Sequence, residues 1–269
     1  MLIKTRNLGI FTLIYSSQMK IREITVKSVL TKSRIPTVPY VVNPYTGCGH
    51  GCLYCYATFM KRFTGHTEAW GGFVDVKINA PELLAHEIKR ARKDTVMFSS
   101  VCDPYQPAEK KYQLTRRCLE VLLAADWPVD ILTKSDLVLR DLDLLKQFRE
   151  VSVGWSIATD REDIKRIFEP GSPTIAARLK AAQTFHDAGV DTYAFIGPIL
   201  PMNPDVLAGE LNGKVDSVLI DKLNYSSKVS RLYKQHKLEE YLQADYFEAV
   251  RDRLTDLLTK QGIEVQPLF

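Results

Sequence analysis

No stretch of this sequence is apolar for long enough to cross a bilayer as a helix, which excludes a transmembrane helix. The nearest thing to such a run is Leu8 to Tyr15, which follows Lys4 and Arg6 and loosely resembles a signal peptide. A second methionine, Met19, opens more ordinary sequence, and residues 1–18 are read as an N-terminal extension upstream of the folded chain. There is no internal repeat and no low-complexity tract, which excludes solenoids and disordered tails. Charge of one sign is scarce: the net charge is +4 over 269 residues. That imbalance is too small to identify a nucleic-acid binder by itself. Cysteine is also sparse. There are five, an odd number, and three fall within eight residues. That distribution argues against a disulfide framework and for a metal or cluster site in a reducing compartment.

What is present is alternation. Apolar runs at Thr95–Ser100, Val129–Thr133, Val151–Ile157, Asp191–Ile196 and Ser217–Ile220 predict buried strands, with an earlier one at Val38–Val42. Between them lie predicted helices: Pro81–Arg92, Leu114–Ala124, Leu137–Phe148, Thr174–Ala188 and Asp205–Leu211. Pro81 suits a first helical turn, with Asn79 near the cap, and Gly189 suits a helix stop. The order predicts an α/β fold with a parallel sheet and right-handed crossovers, five or six units forming a full or open barrel. Chemistry is then expected behind the strands, at their C-terminal ends. From Tyr225 the pattern changes to a basic stretch (Lys228, Arg231, Lys234, Lys237) and a long amphipathic helix, Glu239–Lys260. The chain divides on this reading into 1–18, a barrel at 19–224, and a helical C-terminal extension at 225–269 packed on it.

The three clustered cysteines lie in Asn43-Pro44-Tyr45-Thr46-Gly47-Cys48-Gly49-His50-Gly51-Cys52-Leu53-Tyr54-Cys55-Tyr56, a C-x3-C-x2-C pattern. Three thiolates on one loop can ligate three irons of a cubane and leave the fourth open to a chelating cofactor. Gly47, Gly49 and Gly51 let the loop wrap closely. The bland alternative is zinc, which wants four ligands, with His50 as the fourth in awkward geometry.

C-x3-C-x2-C is also the signature of the radical S-adenosylmethionine (SAM) superfamily. The string NPYTGCGHGCLYCYA resembles its spore photoproduct lyase-like branch. Similar stretches continue at DPYQPAEKKYQLTR (from Asp103), LTKSDLVLRD (from Leu132), VGWSIAT (from Val153), FEPGSPTIAARLKAA (from Phe168) and AFIGPILP (from Ala194). The resemblance runs from about Lys27 to about Asp221. It implies a partial (β/α)6 TIM-like barrel with the cluster loop after the first strand. Its cofactors would be a [4Fe-4S] cluster on Cys48, Cys52 and Cys55, and SAM. Lys134, after one predicted strand, and Ser156, at the end of the next, match residues that hold SAM in the lyases. Physically, Lys134 can pair with the methionine carboxylate and Ser156 can hydrogen-bond to it. Tyr54 and Ile199 are candidates for the adenine floor, and Asp103 either orients SAM or substrate or caps the next turn. Lyases of this branch return a hydrogen atom from a cysteine after the second strand, assisted by tyrosines. Here Cys102 and Tyr56 are the candidates. An electron donor such as flavodoxin or ferredoxin is implied, and an oxygen-sensitive cluster suits the cytoplasm.

The substrate divides the readings. The branch resemblance and the basic stretch favour a nucleic acid, such as a thymine photolesion. The branch's DNA-lesion lyases carry a C-terminal β-hairpin that is not visible in the mainly helical tail here. A small molecule, peptide or protein is the second reading, and a non-catalytic iron–sulfur or zinc module the third. No further cysteine cluster suggests an auxiliary iron–sulfur site. Arg178 is expected to pair with Glu169, Lys77 to be solvated, and Cys118 to lie in the core on a stripe with Leu114 and Leu122.

Overall fold

The computed structural model describes residues 19–36 and 38–269; the expected extension at 1–18 lies outside the described residues. Strands form where the apolar runs stand, and two sheets result. The smaller joins β1 (Lys20–Ile24), β5 (Phe73–Lys77) and β4 (Tyr45–Thr46). The larger takes β2 (Leu30–Lys32), β3 (Tyr40–Val42), β6 (Val96–Phe98), β7 (Val129–Thr133), β8 (Val151–Ser156), β9 (Asp191–Ile196), β10 (Ser217–Ile220) and β11 (Glu264–Pro267). Its spatial order is β11-β10-β9-β8-β7-β6-β3-β2, parallel throughout except for β2. The two end strands do not meet, so the sheet is a partial barrel. A helical segment follows each of the six strands β3, β6, β7, β8, β9 and β10, which is the (β/α)6 arrangement.

Helix α1 (Ala80–Glu87) starts with Pro81 in its first turn, where the missing N–H costs nothing. Asn79, expected to cap it, makes no capping bond. Its amide donates to Val26 O at 2.9 Å and accepts from Val26 N at 3.0 Å, tying β1's exit to the helix start. After the short α2 (Glu109–Tyr112), α3 (Leu114–Ala124) buries Leu114, Cys118 and Leu122 on one face, so Cys118 is a core residue as expected. The predicted Leu137–Phe148 helix is broken. A 3-10 turn (Asp136–Asp141) precedes a single α-turn, α4 (Leu142–Leu145), because buried Asp141 accepts side-chain bonds from Arg116 and Arg140. The β8–β9 crossover is α5 (Glu162–Phe168) and α6 (Ile175–Asp187), which ends at Gly189 with φ +75°; α7 (Pro204–Leu211) links β9 to β10.

The tail is helical through α8 (Ser230–His236) and α9 (Ala244–Lys260), and then adds something the sequence reading lacked. Residues Glu264–Pro267 form β11, which pairs in parallel with β10 and extends the main sheet. The run EVQP has neither an apolar stretch nor an alternating one, and its side chains are mostly exposed.

One arrangement within the sheet carries two predictions. The ring of Tyr193 on β9 lies over its cross-strand partner Gly154 on β8, and its hydroxyl donates to Asp130 on β7 at 3.0 Å. A Cβ on Gly154 would stand 2.2 Å from that ring, so Gly154→Ala is expected to cost about 1–3 kcal/mol in urea denaturation. Burial pushes the Asp130 carboxyl up to about 6, against a weaker opposing pull from the Tyr193 hydroxyl. A folded-state value above the unfolded one means the proton stabilises the native state. That contribution is complete near pH 4 and lost as pH rises through 6. Asp130→Asn should therefore gain on the wild type by about 2 kcal/mol between pH 4 and pH 7.5. A constant difference across that range would refute the assignment.

Candidate functional site

The cysteine loop leaves the C-terminal end of β3, where a parallel barrel presents its chemistry. Asn43 anchors its start, accepting from Val101 N at 3.1 Å, and β4 then pairs antiparallel with β5. Gly47 turns the chain at φ +87°, and a Cβ there would meet Phe73 O at 2.5 Å, so only glycine fits. Two turns follow: Gly51 N donates to Cys48 O and Cys55 N to Cys52 O, each at 3.2 Å. The second of these places Cys52 and Cys55 on one short arc.

Two neighbours hold the loop. Gln106 bridges it, donating to Gly47 O at 3.1 Å and accepting from Gly49 N at 2.9 Å. The stretch after α5 packs against it. Leu53 N donates to Phe168 O at 2.9 Å and Gly171 N to His50 O at 3.0 Å. A Cβ on Gly171 would stand 2.6 Å from Gly49 O and 2.8 Å from His50 O.

His50 is buried between Asp103, 3.3 Å from its Nε2, and Gly171 O, 3.2 Å from its Nδ1. Both of its ring nitrogens therefore face oxygens of the protein. Among the described residues no three His, Cys, Asp or Glu side chains converge on a single-ion site. A zinc ion draws its sulfurs to about 2.3 Å from one point. A cubane asks less, since each thiolate takes its own iron. Cys48 and Cys52 are buried and Cys55 half-buried, and the backbone N–H groups of His50 and Ala57 hydrogen-bond to the Cys48 and Cys55 sulfurs. Burial pushes the Cys52 thiol up to about 12 and raises Cys48 and Cys55. Metal binding replaces such protons. The donor set, its spacing and its enclosure fit an iron–sulfur cubane.

Behind the loop lies a buried ionic network. Glu169 accepts from Arg178 at 2.5 Å, from Ser172 at 3.2 Å and from the Tyr54 hydroxyl, and lies 3.7 Å from Lys134 Nζ. Burial alone would raise its carboxyl, but Arg178 and Lys134 outweigh burial and hold it at about 2. Arg178 also donates to Ser156 O at 2.8 Å, so it joins the end of β8 to the same carboxylate. The Arg178–Glu169 pair was expected; its link to Lys134 and Tyr54 was not. Lys134 Nζ stands 5.8 Å from the centre of the Tyr54 ring and faces the Cys52 side of the loop.

Of the two alternatives for Asp103, its hydrogen bonds are those of a turn cap. Its oxygens accept from Tyr105 N at 2.9 Å, Thr133 Oγ1 at 2.7 Å and Lys134 N at 2.7 Å. Burial works against this carboxylate, yet His50 and the donated bonds hold it at about 2. Through Lys134 N it fixes the backbone from which that ammonium extends. Cys102 Sγ donates to Ser99 Oγ at 3.4 Å and Tyr45 O at 3.5 Å, beside the cluster loop's entry strand. Tyr56 donates to Ser100 O, and its ring stacks on Tyr225 at 6.4 Å. Ile199 is buried behind β9, with its N–H on Asp221 O at 2.9 Å.

One lysine corrects the sequence reading and a second adds to it. Lys77, expected in solvent, is half-buried and donates to Asn43 O at 2.7 Å, at the root of the cysteine loop. Lys228, read as part of a solvated basic face, donates to Cys55 O at 2.9 Å and Thr58 Oγ1 at 2.8 Å. The segment after β10 is thereby latched to the third cysteine. The sequence reading holds neither the Gln106 bridge nor the contacts of Glu169 with Tyr54 and Lys134. Their only signal was a polar side chain inside each of two motifs, DPYQP and FEPGSP, that turn toward the loop.

Comparison with known proteins agrees with this geometry. The family profile described as "Radical SAM superfamily" matches residues 42–208. An uncharacterized protein of Methanocaldococcus jannaschii is 35% identical over 261 residues, covering 93% of this chain and 98% of that one. A structure of spore photoproduct lyase complexed with dinucleoside spore photoproduct superposes with a TM-score of 0.70 at 17% identity, covering 93% of this chain and 82% of that one. A mutant of that lyase with bound AdoMet and the same dinucleoside gives 0.66 at 18% identity, over 91% and 80%. At such identities the two structures establish a shared fold. Among the described residues no helix is long and apolar enough to cross a membrane.

Proposed function

Because the chain belongs to the radical SAM superfamily, we propose that it cleaves SAM reductively and directs the resulting radical at a substrate held over the barrel mouth. The observation that carries this reading is the coincidence of the three-cysteine loop with an inward lysine, Lys134, beside it. A bound [4Fe-4S] cluster would supply the one-electron reduction that splits the sulfonium of SAM into methionine and a hydrogen-abstracting 5′-deoxyadenosyl group. Cys48, Cys52 and Cys55 hold that cluster.

The remaining work falls to the chain's own side chains. Lys134 pairs with the SAM carboxylate, and Ser156 donates a hydrogen bond to it. Glu169 keeps the Lys134 ammonium charged and aimed, and Asp103 fixes its backbone. Tyr54 and Ile199 supply apolar surface for the adenine. Cys102 would give its S–H hydrogen to the product radical, with Tyr56 beside it. The lyase fold favours a nucleic-acid substrate and lyase chemistry over a small molecule or peptide. A flavodoxin or ferredoxin of the cytoplasm would deliver the electron.

The direct test is anaerobic reconstitution with iron and sulfide, then dithionite and SAM. Formation of 5′-deoxyadenosine supports the reading; a reconstituted protein that leaves SAM intact refutes it. Lys134→Met is expected to raise KM for SAM about tenfold or more while cluster content stays constant. With UV-irradiated DNA as substrate, restored thymines support the lyase assignment. Cys102→Ala should then still yield 5′-deoxyadenosine but lose product.

A further inference from the structure

The 3-10 helix Tyr56–Phe63 begins immediately after Cys55 and buries only Ala57. Three of its aromatic side chains face outward: Tyr56 is 46% exposed, Phe59 43% and Phe63 67%. Tyr225, 51% exposed and following β10, stacks on Tyr56 with the rings 21° from parallel. Since Tyr56 is bonded to Ser100, behind β6, this pair links the segment after β6 to the segment after β10. Soluble surfaces scatter apolar side chains singly; a contiguous group of this kind marks an interaction site.

Cations interleave these rings. The Arg62 guanidinium lies 4.6 Å from the centre of Phe63 and 5.5 Å from Phe59, and Lys228 Nζ lies 5.4 Å from Tyr225. Lys61 reaches only a backbone carbonyl, Thr67 O. Among the described residues no carboxylate stands within 4.0 Å of Lys61, Arg62, Lys228, Arg231, Lys234 or Lys237. The neighbouring acids are already engaged: Glu68 with Lys20 and His66, Asp75 with Arg22 and His66. A cavity of about 520 Å³ opens beside the helix, lined by Thr58, Phe59, Lys61, Arg62, Gly65 and His66.

We propose that this surface, from Phe63 through Phe59 and the Tyr56–Tyr225 pair, is a binding platform for single-stranded nucleic acid. Open ring faces suit unpaired bases, which stack without regard to sequence, and the uncompensated cations suit the phosphates between them. A duplex hides its base faces and satisfies only the charges. An interfacial membrane helix needs a longer apolar stripe than eight residues provide. The platform leads to the barrel mouth, so it would deliver a splayed-out base to the radical centre; in that respect it rests on the proposed function.

The test uses the full chain, reconstituted anaerobically, and labelled oligothymidylate and oligouridylate of about 16 nucleotides in fluorescence anisotropy. Single strands should bind more tightly than a duplex of the same length, and the two sugars show which polymer is preferred. Phe63→Ala should weaken binding about tenfold, as loss of one stacked base does. The double variant K61Q/R62Q should lower the slope of log affinity against log salt by about 1.4, two phosphate contacts at about 0.7 each. Unchanged single-strand affinity in both variants overturns the proposal. So does a preference for duplex, or an effect of the variants on flavodoxin or anionic-vesicle binding alone. Dithionite-driven 5′-deoxyadenosine formation, expected to be unaltered in Phe63→Ala, is measured in parallel. Turnover of SAM without strand binding sinks only the platform; strand binding without SAM turnover sinks only the proposed chemistry.

Discussion

Replacing Cys48, Cys52 or Cys55 by alanine is expected to strip the reconstituted protein of most of its iron and sulfide and to lower 5′-deoxyadenosine formation by more than about 100-fold. The three sulfurs are not equivalent to the protein fold, but they are equivalent to a cubane, which needs each vertex held. Alanine is close to cysteine in size, and the loop is fixed by Gln106, Phe168 and Gly171 rather than by its thiols. Each variant should therefore keep the circular dichroism and melting behaviour of the metal-free wild type. Cys118→Ala is the control: a core thiol on α3 whose loss should leave iron, sulfide and turnover intact. A single triad variant that retained a full complement of iron and sulfide would remove the basis of the functional reading. Unfolding of all three would show instead that the loop depends on its sulfurs, against the hydrogen bonds that hold it.

The second large effect is expected at Glu169. This carboxylate compensates Arg178 and Lys134, all three being removed from solvent or nearly so. Neutralising it in Glu169→Gln leaves two cations facing each other without a counter-charge, which costs about 3–5 kcal/mol when a buried pair is broken from one side. The double variant with Arg178→Met should recover much of that loss, because the remaining Lys134 is then a single charge. Acid should reproduce the single variant. The folded-state value of Glu169, about 2, lies below its unfolded value, so its contribution is present above about pH 4.3 and lost as pH falls toward 2. Denaturant unfolding at pH 3 and pH 7 should show a loss that is absent in Glu169→Gln. If the wild type and the variant lose stability in parallel, the network is not the acid-sensitive element. Because Lys134 is aimed by this carboxylate, the variant should also raise KM for SAM with cluster content unchanged.

Much of this architecture is legible in the order of residues, and the failures have physical causes. The parallel strands were visible because both of their faces are covered, which makes them runs of apolar residues. The three-cysteine loop was visible because its chemistry needs a fixed spacing. The Arg178–Glu169 pair was visible because the two lie nine positions apart, within one helical connection. By contrast, β11 was hidden because an edge strand in contact with solvent carries no apolar signature. The broken helix at Asp136–Leu145 was hidden because its cause, a buried Asp141 held by Arg116 and Arg140, lies partly on another helix. Lys77 reads as solvated because lysines usually are, yet it is half-buried; Lys228 is exposed as expected, and both donate to carbonyls around the cysteine loop. Gln106 and Glu169 act through contacts more than 50 residues away in sequence, to Gly47 and Tyr54.

The docking of Gly171 onto Gly49 and His50 sets a rule for anyone who would re-engineer this scaffold. Loops behind different strands of a barrel are commonly treated as exchangeable parts. Here, two of them are one part: a graft that imports a foreign connection after α5 would bring side-chain bulk where 2.6 Å of clearance exists. Chimeras that transplant residues 43–56 and 168–173 together should assemble. Those that transplant either one alone should not.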